Sequence, residues 1–167
     1  MPCTDKIRFK GNAMKEKTCC FTGHREIDVA DKKTLKKKLT AAVREHIARG
    51  YRYFGTGGAL GFDTLAATVV LSLKKEFPEI ALILVLPCPE QTKYWSAKDI
   101  AVYESILAKA DKCVYTSSVY SRGCMQKRNR HLVDGSSSCI AYLRREEGGT
   151  AYTVRYAQSK GVNVFYL

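Results

Sequence analysis

The stretch Tyr51-Arg-Tyr-Phe-Gly-Thr-Gly-Gly-Ala-Leu-Gly-Phe-Asp63 constrains this chain more than any other. The aromatic run Tyr51, Tyr53 and Phe54 reads as a strand. It breaks into Gly55, Gly57, Gly58 and Gly61, after which Leu65, Ala66, Val69, Val70 and Leu73 recur at helical spacing. A glycine-rich turn between strand and helix lets backbone approach a ligand with no Cβ in the way. It also aims the unpaired N–H groups of the helix start at that ligand, and their preferred guest is an anion such as phosphate. The spacing is neither the dinucleotide pattern G-x-G-x-x-G nor a Walker loop, because no Gly-Lys-Ser/Thr follows.

Along the chain strands and helices alternate. Strands are expected at 18–22, 51–55, 79–87, 112–116, 138–143 and 162–166, with helices at 32–49, 61–77, 96–110, 124–134 and 150–159. Near-continuous apolar strands separated by helices imply a mostly parallel sheet covered on both faces. Right-handed crossovers make this a Rossmann-like, doubly wound α/β fold. Ligands of such sheets sit outside the carboxyl ends of the strands, near the point where strand order reverses. Four polar or glycine-rich segments follow strands directly: Thr22-Gly-His-Arg25, the glycine loop to Asp63, Pro87-Cys-Pro-Glu-Gln91 and Arg144-Arg-Glu-Glu-Gly-Gly-Thr150. All four are therefore expected at one edge.

At 167 residues and 46% hydrophobic content the chain suits one well-cored domain. Residues 1–16 read as a mobile basic leader without an apolar signal core, with Met14 a candidate start, and 17–167 as the domain. The longest apolar run, 80–86, has the length of a buried strand, so no membrane association is expected. Seven cysteines with no C-x-x-C pair and no secretion signal read as reduced core thiols of a cytoplasmic protein, without metal or cofactor. Cys88 and Cys124, near expected loops, are the two candidates for reactivity. The formal charge of +12 gathers on the helix at Lys32, Lys33, Lys36, Lys37 and Lys38. That face is either a solvated outer surface or a nucleic-acid contact, and no aromatics alternate with the lysines as a single-strand groove would want.

Several residues carry candidate chemistry. Thr22, Gly23, His24 and Arg25 combine a tight strand exit with a hydroxyl, an imidazole and a guanidinium fork. Arg25 either anchors phosphate or pairs with Glu26 or Asp28. Asp63 either favours the helix dipole or accepts a ribose hydroxyl. Met125-Gln-Lys-Arg-Asn-Arg130 opens a helix with cations and an amide. Gly148, Gly149 and Thr150 repeat the glycine-loop logic, and Tyr94 and Trp95 are expected either to wall the cleft or to belong to the core.

Together these residues resemble the SLOG superfamily, the Rossmann-like group that includes the single-strand DNA-loading DprA/SMF proteins and the LOG phosphoribohydrolases. The branch they look most like is YpsA-like. The resemblance runs from about Lys17 to the C-terminus, on Cys20-Phe-Thr-Gly-His-Arg25, Gly57-Gly-Ala-Leu-Gly-Phe-Asp63, Met125-Gln-Lys-Arg-Asn-Arg130 and Gly148-Gly-Thr150. It implies a cleft for a nucleotide or nucleotide-derived, ADP-ribose-like ligand, bound by Thr22, Gly23, His24, Arg25, Gly57, Gly58, Gly61, Asp63, Arg128, Asn129, Gly148, Gly149 and Thr150. LOG enzymes carry M-x-x-R-K and G-G-x-G-T-x-x-E. Here Asn129 stands in place of the lysine and Thr153 in place of the glutamate, and a threonine cannot act as the carboxylate of N-glycosidic cleavage. The reading is therefore a binding protein or sensor, with a nucleoside monophosphate phosphoribohydrolase using Arg128 and Glu146 or Glu147 as one alternative. A single-stranded nucleic-acid binder is the other, and homo-oligomer formation is left open.

Overall fold

The computed structural model describes residues 12–167. In chain order it comprises α1 (Asn12–Lys15), β1 (Thr18–Gly23), α2 (Val29–Ala48), β2 (Tyr53–Thr56), α3 (Phe62–Leu73), β3 (Ala81–Leu86), a 3-10 turn (Pro89–Thr92), α4 (Ala97–Lys109), β4 (Lys112–Tyr115), α5 (Cys124–Asp134), β5 (Ser138–Tyr142), α6 (Gly148–Ser159) and β6 (Asn163–Tyr166). The six strands form one sheet in the order β4-β3-β2-β1-β5-β6, and every pairing is parallel. The Rossmann-like α/β architecture expected from the alternating pattern is what the chain forms.

Alternation along the strands feeds two cores. Cys19 and Phe21 of β1 with Leu82, Leu84 and Leu86 of β3 join the larger core, built with Leu35, Leu39 and Val43 of α2 and Leu65, Val69 and Val70 of α3. Cys20, Ile83 and Val85 point the other way, onto Leu132 and Val133 of α5 and Ala157 of α6. β3 is buried on both faces along its whole length, which is why it reads as an unbroken apolar run.

Boundaries depart from expectation in instructive places. α2 begins at Val29 rather than residue 32, because the Asp28 carbonyl already accepts from the N–H groups of Asp31 and Lys32. α3 stops at Leu73, four residues short of expectation, ahead of Pro78, which disfavours helix in the residue before it. α6 starts two residues early, so Gly148 and Gly149 lie in its first turn rather than before it. Asn12–Lys15, within the expected leader, forms a helical turn whose Met14 packs on the smaller core and accepts from the Thr18 hydroxyl at 2.7 Å. The remainder of that leader, residues 1–11, lies outside the described residues.

Both Cys88 and Cys124 are buried, which removes the ground for expecting reactive thiols there. Burial pushes the Cys88 thiol up, away from thiolate. Trp95 lies edge-on to Tyr103, with ring centroids 5.6 Å apart, and Tyr94 is exposed; neither walls the cavity described below.

Strand order places the functional edge. β1 to β4 step one way across the sheet, and the chain then crosses back to lay β5 on the other side of β1. The crevice between the carboxyl ends of β1 and β5 is thus the reversal point. There Gly23 ends β1 directly against Phe62, the first residue of α3. A methyl on Gly23 would stand 2.6 Å from the Phe62 Cβ and closer still to its ring. Phe62 is itself locked between Phe21 and Tyr142, with centroids 6.5 and 5.7 Å away. Gly23→Ala should therefore destabilise the fold by about 1–3 kcal/mol through overpacking. Urea denaturation reads this directly, and an unchanged midpoint would mean that the ring yields freely.

Candidate functional site

A cavity of about 590 Å³ opens at this reversal point. Its wall comes from four separate places in the chain: Thr22, Gly23, His24 and Arg25 after β1; Ala59 and Asp63 at the start of α3; Met125, Arg128 and Asn129 on α5; and Arg145, Glu147, Gly148, Gly149 and Thr150 where β5 leads into α6. Parallel topology alone brings these segments together, since each follows the carboxyl end of a strand or opens a helix. The fourth expected segment, Pro87–Gln91, is not part of this wall. Gln91 instead reaches the Gly58 carbonyl with its amide at 3.5 Å.

Arg128 organises the interior. Its side chain is 4% exposed. One guanidinium nitrogen donates to the Gly57 carbonyl, Nε donates to the Asn129 side-chain oxygen at 2.7 Å, and the other terminal nitrogen lies 3.9 Å from the Met125 sulfur. Asp63 is buried alongside and accepts the Ala59 N–H at 3.1 Å. Burial pushes the Asp63 carboxyl up, while the Arg128 charge and the Ala59 N–H pull it down. Burial likewise lowers Arg128, and Asp63 offsets that. The two charges lie beyond ion-pair distance, and each offsets part of the other's burial without outweighing it.

The glycine loop does a different job from the one its spacing suggests. A methyl on Gly57 would sit 2.5 Å from the Arg128 guanidinium carbon and 2.8 Å from an Asp63 carboxylate oxygen. One on Gly58 would meet Leu86 at 2.5 Å, and one on Gly61 would drive into the backbone of Arg25. None of these three glycines lines the cavity; their missing side chains make room for protein. Gly61, with φ +75°, also adopts a conformation that few other residues accept. Substituting Gly58 or Gly61 therefore disturbs packing before it touches any ligand.

His24 joins the two halves of the site. Its Nε2 accepts the Arg144 N–H at 2.9 Å, so the neutral ring carries its proton on Nδ1. Its carbonyl accepts the first N–H of α3, from Phe62, at 3.0 Å. Burial lowers the His24 pKa, and Arg145 and Arg144 push it the same way. Arg25 pairs with neither Glu26 nor Asp28; one terminal nitrogen lies 3.9 Å from the Met125 sulfur. Arg130, from the same motif as Arg128, turns away and donates to the Tyr152 hydroxyl at 3.0 Å.

A model of the YspA SLOG family matches residues 19–166. The chain belongs to this family. Its relatives include the uncharacterised SPbeta prophage-derived protein YoqJ of Bacillus subtilis, 35% identical over 137 residues, covering 74% of this chain and 80% of that one. A UPF0398 protein of Bacillus licheniformis is 30% identical over 133 residues, covering 76% of this chain and 69% of the relative. Among solved structures, DNA processing protein A of Helicobacter pylori, described for its single-stranded DNA binding mode, superposes with a TM-score of 0.64 at 19% identity. That match covers 92% of this chain and 66% of the other, and it speaks to the fold.

Thr153, which the resemblance sets in place of the LOG glutamate, is buried in α6 and donates back to the Gly149 carbonyl at 2.8 Å; it does not line the cavity. Glu147 lines the wall and Glu146 does not. Sequence reasoning missed Phe21, Glu26, Ala59, Met125, Leu132 and Arg145 as lining residues. Arg145 had a signal, since it directly follows β5. The apolar floor had none, because Phe21 and Leu132 look like any core position.

A second buried histidine, His46, shares the state of His24. Its Nδ1 donates to the Ala42 carbonyl at 2.8 Å, Nε2 lies 2.8 Å from the Ser138 hydroxyl, and burial lowers its pKa. A lowered folded pKa gives stability that is present above the unfolded histidine value of ~6.5. It is lost as pH falls from there through the folded value, because the unfolded chain takes up protons that the folded one refuses. The urea midpoint should accordingly drop between pH 8 and pH 5.5. Nitrogen chemical shifts should show both rings neutral and Nδ1-protonated at pH 8 and titrating at lower pH than an unfolded histidine, and a midpoint that rises on acidification would contradict this assignment.

Proposed function

We propose that the chain binds a nucleotide or nucleotide-derived ligand, one with phosphate and ribose ends as in ADP-ribose, in the cavity between β1 and β5. It acts there as a binding protein and sensor rather than as a hydrolase. The observation that carries this reading is the buried Arg128 guanidinium. Its three contacts with the described residues use three of its five N–H donors, leaving two for a guest. Across the cavity the first turn of α6 supports the same end of the ligand. Glu147 makes no side-chain cap, so backbone N–H groups of a helix start line the wall beside Gly148, with φ +89°.

The mixture of charges favours a nucleotide over a bare anion. Arg25, Arg128 and Arg145 suit phosphate, and Glu26, Asp63 and Glu147 can accept ribose hydroxyls. A volume of about 590 Å³ suits a small molecule, whereas a nucleic-acid strand needs an open groove with stacking rings. The Helicobacter pylori neighbour keeps single-stranded DNA as the competing ligand to be tested. Catalysis is disfavoured because Thr153 stands where the resemblance expects the LOG carboxylate, and its hydroxyl is taken up by the Gly149 carbonyl.

A thermal-shift screen of nucleoside mono- and diphosphates, ADP-ribose and oligothymidylate tests the reading. A ligand at a hundred times its Kd adds about 2.7 kcal/mol to stability. Arg128→Lys should weaken binding by about 1.5–3 kcal/mol, since a single ammonium replaces a charged fork. Gly57→Ala should mimic it, because its methyl displaces the guanidinium. Absence of any nucleotide shift, or full affinity in both variants, sinks the proposal. Base release from nucleoside monophosphates, followed by chromatography, is expected to be absent. Robust release that disappears in Glu147→Gln would establish the hydrolase instead.

A further inference from the structure

Outside this cavity a second depression, of about 870 Å³, runs between the N-terminal half of α2 and the facing sides of α3 and α4. Among the described residues its cations are Arg25, Lys32, Lys33, Lys36 and Lys98, against a single carboxylate, Asp99. That carboxylate already accepts the Ser96 hydroxyl at 2.7 Å. None of the four lysines has a carboxylate within ion-pair distance among the described residues. Between the cations lies aliphatic surface, notably Val29 at 88% exposure, Val102 at 41%, and Leu60. Solvated lysine faces do not require exposed valines beside them, and a lysine-rimmed aliphatic trough is the complement of one particular surface.

We propose that this groove docks an acidic amphipathic helix of a partner protein. Aliphatic side chains of the helix would seat on Val29, Leu60 and Val102 while flanking glutamates or aspartates meet the lysines, as in other helix-in-groove recognition. Two features of the groove select this occupant. No aromatic ring of the described residues lines it, which gives bases no stacking platform there and disfavours single-stranded nucleic acid. The chain's net charge of +12 opposes a second copy of itself, because a basic rim needs an acidic face.

The test uses the full chain and a fluorescein-labelled synthetic helix carrying leucines at i, i+3, i+4 and i+7 with glutamates on both flanks. A scrambled peptide of equal composition and an oligothymidylate serve as competitors, followed by anisotropy. The amphipathic peptide should bind at least tenfold more tightly than the scrambled one. Lys32→Glu with Lys36→Glu, both on exposed positions, should weaken it at least tenfold, as should Val102→Asp. A lysine-flanked version of the peptide should prefer the doubly reversed variant over the parent, a swap that mere unfolding cannot produce. Equal binding of the scrambled peptide, or full affinity in the doubly reversed variant, overturns the proposal. So does oligothymidylate that binds more tightly than the peptide through the same lysines, which would make the groove a nucleic-acid contact.

Discussion

The contact on which the rest of this structure depends is the donation from the Arg128 guanidinium to the Gly57 carbonyl. A full positive charge sits almost completely out of water. It is sustained by a backbone oxygen, an amide oxygen and the nearby Asp63 carboxylate. Removing one partner from such an arrangement leaves the others uncompensated, so its members stand or fall together. The same contact fixes α5 to the loop between β2 and α3, and thereby fixes the distance across the cavity. Gly57 has no side chain because the arginine occupies that space.

The fold was legible because its evidence is distributed. Periodicity changes ten times between strand-like and helix-like along the chain, and β3 in particular carries an apolar run of the length and composition of a strand buried on both faces. Much of the cavity wall was legible for a topological reason: residues following parallel strands must share an edge. What stayed hidden was direction. Sequence shows that Gly57, Gly58 and Gly61 need an absent Cβ, and it does not say what fills the space. In each case protein fills it, as Arg128, as Leu86 and as the Arg25 backbone. The place of Thr153 was similarly unreadable, since its hydroxyl turns back along α6.

The lysine-rich helix shows how two demands share one element. Leu35, Leu39, Ala42, Val43 and Ile47 recur at helical spacing and bury one side of α2, and the charged side follows as the remainder. Amphipathic spacing explains why lysines are outside. It does not explain the valine that stands among them at the start of the helix, and only the placement of α4 opposite gives that valine a neighbourhood.

The bond from the Arg144 N–H to His24 spans 120 residues, and β5 pairs with β1 from Cys19 to Gly23 only after four other strands have been laid down. A chain made from its N-terminus has β1 to β4 available as a sheet while one edge of β1 still lacks its partner. That edge stays open until residues 138–142 arrive, and sequence-distant pairings of this kind form slowly because loop closure must come first. The cavity is therefore completed late, and a nascent chain that stops short of α6 lacks the wall made by Gly148, Gly149 and Thr150. Any ligand that needs this wall can be held only after the chain has been made as far as the first turn of α6.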